Sequence, residues 1–279
     1  MAHFPSLPRN RKKITDDPKS RDELQRLINE GDERMDMEDI GPQKLKTFQT
    51  LFMVSQVTGL LSIILTVIWV YKFFGGLGLS DPDKEFNFHP ILMIVAFLYM
   101  NGNSILIYRY MRKKPKPLLK WIHSSLHGIN VLIIGFALFA VIDYHNRKKI
   151  PNFYSIHSWL GIAISVIYGL QSLGSFAIFM KPGASDSIRK MTLPLHVFGG
   201  ISLFFLSVAT ILMGFTEKMI FKYKKEYAAG ESVGIYVNFI GIFAVLHAFL
   251  VGYMMYDQEF KRRPLPEDRV GSQPIAMTD

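Results

Sequence analysis

Eight histidines stand among the 279 residues, and four of them, His89, His123, His157 and His196, follow one another at intervals of 34, 34 and 39 residues. An imidazole can give one ring nitrogen to a metal while the other anchors the ring, so histidines repeated at helix-length intervals are candidate ligands. Each lies near the start of a long run free of Asp, Glu, Lys and Arg. Six such runs cover residues 51–71, 86–108, 121–142, 155–180, 191–216 and 232–256. His89 and His157 open the second and fourth, which run in one direction. His123 and His196 stand near the beginning of the third and fifth, which run in the other. The four therefore form two pairs at two depths, each from two parallel helices. That arrangement can hold a flat macrocycle edge-on, with one imidazole on each axial position of its iron. A lone histidine in a span is more often a hydrogen-bonded packing residue. Four in paired register, where ionisable groups are costly, point to function. Zinc or non-haem iron would ask for more clustered ligands beside a carboxylate, and the six runs contain none.

The elements that must position these rings follow from composition. Apolar residues make up 49% of the chain, yet the charged ones gather in clusters, where a soluble domain would interleave them. Each run is long enough to cross a hydrocarbon core, which takes about 20 helical residues. The fold expected is all-α: a polytopic membrane protein of six transmembrane helices, with spans 2–5 as an inner four-helix bundle. Residues 1–47 read as a charged tail, 48–256 as the membrane domain and 257–279 as a second tail. The first 47 residues hold no apolar signal-peptide core, so the first span is expected to act as its own insertion signal.

Charge sets the expected orientation. Of the 32 Lys and Arg, 23 fall in the two tails and the segments after spans 2 and 4, and nine in the alternate segments. The positive-inside rule then puts both termini in the cytosol. The net charge of +9 describes topology and calls for no nucleic-acid partner. With no cysteine, the chain can form neither disulfides nor cysteine-ligated clusters nor thioether-linked haem.

Several motifs resemble the cytochrome b561 family of ascorbate-dependent transmembrane reductases. They are Phe86-Asn87-Phe88-His89-Pro90, Lys120-Trp121-Ile122-His123, Tyr154-Ser155-Ile156-His157-Ser158-Trp159, Leu193-Pro194-Leu195-His196 and Thr216-Glu217-Lys218. The histidine spacings are similar to that family's, and the resemblance covers roughly residues 52–263. It implies two b-type haems, each held by two histidines: His89 with His157 on the non-cytosolic side, His123 with His196 on the cytosolic side. The depth argument gives the same pairing. His127, one helical turn beyond His123, could compete for that iron by spacing alone; register with the family favours His123 and leaves His127 as a supporting hydrogen-bonding residue. His247 lies midway in the sixth span and reads as packed inward against a backbone carbonyl.

The resemblance also implies a route for electrons, from ascorbate in the cytosol to an acceptor beyond the membrane. Arg109, Lys116 and Lys120 are the residues expected to bind ascorbate. Lys120 and Lys116 precede His123 by three and seven residues, one and two helical turns. Arg109 follows His89 by 20 residues, which carries it about 30 Å along the helix. On the opposite face His145 and Asn146 resemble the family's His-Asn substrate pocket and are the expected catalytic contacts. A neutral imidazole there could ligate ferric iron or relay a proton. The basic run Arg147, Lys148 and Lys149 suggests an anionic acceptor, either a ferric chelate or monodehydroascorbate. The expected partners are these molecules and the lipid bilayer, with room for a homodimer.

In the N-terminal tail, Ser20-Arg21-Asp22-Glu23 reads as a capping box opening a short amphipathic helix. Glu23-Leu24-Gln25-Arg26-Leu27-Ile28 resembles an acidic dileucine sorting signal, which favours an endosomal, lysosomal or other vesicle membrane over the plasma membrane. The rival reading from another class is a haem-free six-helix transporter or channel. Transporters commonly carry broken helices and charged groups at the midplane, whereas these runs are free of charge.

Overall fold

The computed structural model describes residues 22, 25, 26, 40–180 and 182–265. Asp22, Gln25 and Arg26 are helical, and the rest of the expected N-terminal helix and sorting signal lies outside the described residues. The compact unit Gln43–Arg262 contains the candidate site. Six helices are long and apolar enough to cross a membrane: α1 Pro42–Phe74, α2 Pro82–Tyr110, α3 Lys116–Lys148, α4 Ile156–Phe179, α5 Asp186–Lys222 and α6 Ser232–Tyr256. No strand occurs among the described residues. Each charge-free run finds its helix; α1, α2, α3 and α5 overrun their runs into the flanking charges, while α4 and α6 stay within theirs.

Local sequence sets where the helices begin and end. Asp81 caps α2, its carboxylate accepting from the Asp83 N–H, with Pro82 at the first helical position where a missing N–H costs nothing. Ser155 and Ser158 form a reciprocal capping box at the start of α4. Lys149 ends α3 in the left-handed conformation at φ 58. In the middle of α2 the backbone widens into a π-helical segment, Ile94–Met100.

The central helix is α2. In its most apolar stretch 56% of residues are buried, against 17–39% in the other five. It packs on α3, α5 and α6, while α4 packs on α5 and α3. The four histidine-bearing helices, α2 to α5, thus share one core, and α1 and α6 flank it. Along α1, Ser55, Thr58, Ser62 and Thr66 are buried with their hydroxyls turned back onto the helix's own carbonyls. Small side chains of this kind let helices approach closely in a medium where apolar burial gains nothing. His247 of α6 enters this seam fully buried, its Nδ1 2.8 Å from the Ser55 carbonyl, as expected. Large apolar groups such as Leu132, Phe139, Leu170 and Phe249 project outward, which suits lipid as the surrounding solvent.

Candidate functional site

The two ends of the bundle carry different loops, residues 149–155 at one and 111–115 at the other. At the 149–155 end, His89 comes from the first turns of α2 and His157 from the first turn of α4. Their ring centroids are 6.1 Å apart with the planes at 87°. At the 111–115 end, His123 of α3 and His196 of α5 stand 6.0 Å apart with the planes at 76°. Two imidazoles that share one metal through nitrogens at about 2 Å have centroids about 6 Å apart. Both pairs fit that spacing.

The other ring nitrogens settle the tautomers. Nδ1 of His89 lies 3.1 Å from the Ala137 carbonyl, Nδ1 of His157 2.9 Å from that of Thr210, and Nδ1 of His123 2.9 Å from that of Ser104. A carbonyl oxygen only accepts, so in these three rings Nδ1 carries the hydrogen and Nε2 keeps its lone pair. A metal-binding histidine is anchored in this way. His196 is held differently, with its Nδ1 2.8 Å from the Ser175 hydroxyl. The donor set is bis-imidazole at each end, which suits the axial positions of haem iron. Among the described residues no cluster of three metal-ligating side chains competes with it.

His127 differs. Its ring lies 4.4 Å from that of His123, and its Nδ1 is 2.6 Å from the Tyr168 hydroxyl. That hydroxyl also accepts from Asn130 Nδ2 at 3.1 Å. The structure thus gives His127 a hydrogen-bonding role beside His123.

Beside His89 and His157 opens a cavity of about 490 Å³. His145, Tyr154, Glu217, Lys218 and Lys222 line it toward the 149–155 end. The His145 Nδ1 faces the Pro151 carbonyl at 3.2 Å, and its ring lies nearly parallel to that of Tyr154. Burial, then the Glu217 carboxylate, raises the Tyr154 phenol above its ordinary pKa, so the hydroxyl keeps its proton. Asn146 is exposed, and its Oδ1 accepts from Asn152, which itself lines the cavity. Of the expected His-Asn couple, His145 thus stands in the cavity wall and Asn146 outside it, bonded to Asn152.

The basic residues divide in a way the sequence conceals. Arg147 and Lys148 do not offer open charge: Arg147 pairs with buried Glu85 at 2.7 Å and with Asp143 at 3.4 Å, and Lys148 with Asp83 at 2.7 Å. The expectation that this run attracts an anion is corrected here, because carboxylates of α2 and α3 already neutralise two of its three members. Lys218 instead reaches the cavity, a residue visible in the sequence only as part of the Thr216-Glu217-Lys218 motif. At the 111–115 end, Arg109 is buried and donates through both terminal nitrogens to the Met255 and Asp257 carbonyls, clamping the end of α6. Lys120 donates to the Phe179 carbonyl at the end of α4, and Lys116 is exposed.

Comparison with known proteins agrees with this geometry. Residues 88–222 match the model of the eukaryotic cytochrome b561 family. A plasma membrane ascorbate-dependent reductase of Xenopus laevis is 37% identical over 220 residues, 78% of this chain and 78% of its own. A human transmembrane ascorbate-dependent reductase is 35% identical over 215 residues, covering 77% of this chain and 85% of its own. A putative transmembrane ascorbate-dependent reductase homologue of Caenorhabditis elegans is 33% identical over 237 residues, 81% and 89% of the two chains. All four matches take in the paired histidines of α2 to α5, and with them the chain belongs to the cytochrome b561 family.

Proposed function

We propose that the protein is a transmembrane oxidoreductase that takes single electrons from cytosolic ascorbate and delivers them to ferric chelate or monodehydroascorbate beyond the membrane. Membership of a b-type cytochrome family implies haem and removes the haem-free transporter or channel. The observation that carries the reading is the presence of two facing imidazole pairs, at 6.1 and 6.0 Å, at opposite ends of one bundle. A haem held at each pair supplies one-electron chemistry through its iron. The protein's part is to hold three of the rings by backbone carbonyls and the fourth by the Ser175 hydroxyl, to exclude water with apolar helices and to shape an entry and an exit.

The ascorbate-dependent names of the relatives support the donor. The 111–115 end carries the basic excess and is assigned to the cytosol with both tails, residues 1–47 and 257–279. There Lys116 and Lys120 would draw the ascorbate anion, while Arg109 adds charge from its clamp on α6. Ascorbate gives up one electron and one proton, the proton passing to water on that side. A ferric chelate at the other face takes the electron and becomes ferrous. Monodehydroascorbate takes the electron with a proton and becomes ascorbate. His145, in the cavity wall with Nε2 free of its Pro151 contact, would meet the acceptor. We assign the protein to an endosomal, lysosomal or other vesicle membrane in preference to the plasma membrane. The test is an absorption spectrum of the purified protein before and after ascorbate. A reducible b-type signal at two haems per chain is expected, and a colourless preparation ends the reading.

A further inference from the structure

At the 111–115 end the chain that leaves α6 packs back against the loop joining α2 to α3. Asp257 caps a short 3-10 turn, Gln258–Phe260, its carboxylate accepting from the Glu259 N–H at 3.0 Å. Phe260 is fully buried, with its ring 5.3 Å from that of Phe48 on α1 and 6.2 Å from that of Tyr253 on α6. A large apolar side chain sunk at the end of so short a turn pins the whole segment. Lys44 of α1 also pairs with Asp257 at 3.4 Å and with Glu259 at 3.0 Å, exposed contacts that contribute little beside the buried ring.

Just beyond that ring, two guanidinium groups reach carbonyls across the two segments. Arg262 donates from Nε to the Arg112 carbonyl at 3.1 Å and from Nη2 to the Lys114 carbonyl at 3.0 Å. Arg112 donates in return to the Lys261 carbonyl at 3.2 Å. A planar fork whose donors have fixed geometry, bonded to two carbonyls of one loop, sets the position and the orientation of that loop together. The loop leads through Pro115 directly into Lys116, the first residue of α3, and Lys120 and His123 follow one and two turns later.

We propose that Phe260 and Arg262 are positioning residues for the donor: Phe260 anchors the strap 257–262, and Arg262 holds the 111–115 loop so that Lys116 and Lys120 meet the ascorbate anion. This rests on the electron-transfer reading above and adds to its entry two residues that act through the loop. Phe260 carries no charge, so its effect separates position from electrostatic attraction.

The test uses the full chain in detergent, turning over ascorbate with ferric EDTA in excess. KM for ascorbate should rise about tenfold in Phe260→Ala and in Arg262→Gln, with kcat close to wild type. Phe260→Leu, which refills most of the site, should recover most of that shift. The double variant should be little worse than either single one, because both act through the same loop. Brief trypsin treatment, read by mass spectrometry of fragments that begin at Lys113 or Lys114, should cut the loop sooner in both single variants. A raised KM in Arg262→Gln alone would make its guanidinium a direct contact of the anion and overturn the positioning role. Unchanged KM in both would overturn it equally, as would re-oxidation by ferric EDTA that slows in parallel, the mark of a bundle loosened throughout. If Phe260→Ala does not fold, Arg262→Gln decides by trypsin: a loop cut at the wild-type rate sinks the proposal. Wild-type protein that ascorbate cannot reduce would instead count against the function itself, and the trypsin result would still judge the strap.

Discussion

Gly214 lies so close to the His157 ring that a Cβ added at position 214 would stand 2.5 Å from Cε1. The glycine on α5 thus clears the space in which α4 presents a ligand. Gly214→Ala should push the imidazole off its axis with His89, an overpacking cost of about 1–3 kcal/mol. We expect the haem at the 149–155 end to be lost or shifted to a high-spin spectrum while its partner still reduces with ascorbate. Two intact low-spin signals in the variant would show that the ring adapts.

Because each imidazole pair draws on its own two helices, His89→Ala or His157→Ala should remove one haem and leave the other reducible by ascorbate. A haem-to-protein ratio falling from two to one measures this. Loss of the haem at the 111–115 end alone would contradict the pairing.

Neutralising the donor end is expected to act on affinity. In a Lys116→Gln/Lys120→Gln variant, each lost charge-assisted contact costs about 1–2 kcal/mol, so KM for ascorbate should rise at least about tenfold. The oxidised spectrum should not change. If ascorbate kinetics match wild type, the two lysines serve orientation in the membrane only.

His145→Ala should leave both haems in place and their reduction by ascorbate intact, while slowing re-oxidation by ferric chelate. Its ring stands in the cavity wall against Tyr154 and its Nδ1 is held by Pro151, so removal leaves the exit without its imidazole. Rapid mixing of pre-reduced protein isolates this step, and a wild-type rate would make His145 a bystander.

The six helices and the pairing of the four histidines were legible because both depend on short-range quantities. A charge-free run gives a span, and helix direction with a fixed rise gives depth. What joins distant parts of the chain was not legible. Arg147 reads as open positive charge until Glu85, 62 residues earlier, is seen against it. Arg109 reads as a ligand-binding cation until the carbonyls of Met255 and Asp257 appear at its fork. The rings that surround the Lys218 ammonium group, Phe74, Phe86 and Tyr144, come from three different helices. The π-helical segment Ile94–Met100 carries no Gly or Pro, so nothing local announced the wider turn.

Three of the four paired rings are held by main-chain oxygens, at Ala137, Thr210 and Ser104. Every amino acid carries that oxygen, so substitution at those positions cannot delete the anchor, and evolution is free to vary the side chains as packing allows. His196 has no such insurance. Its anchor is the Ser175 hydroxyl, a group that one codon change removes. The imidazole pair at the 111–115 end is therefore the one whose ring orientation a lineage could adjust by a single replacement that leaves both histidines in place.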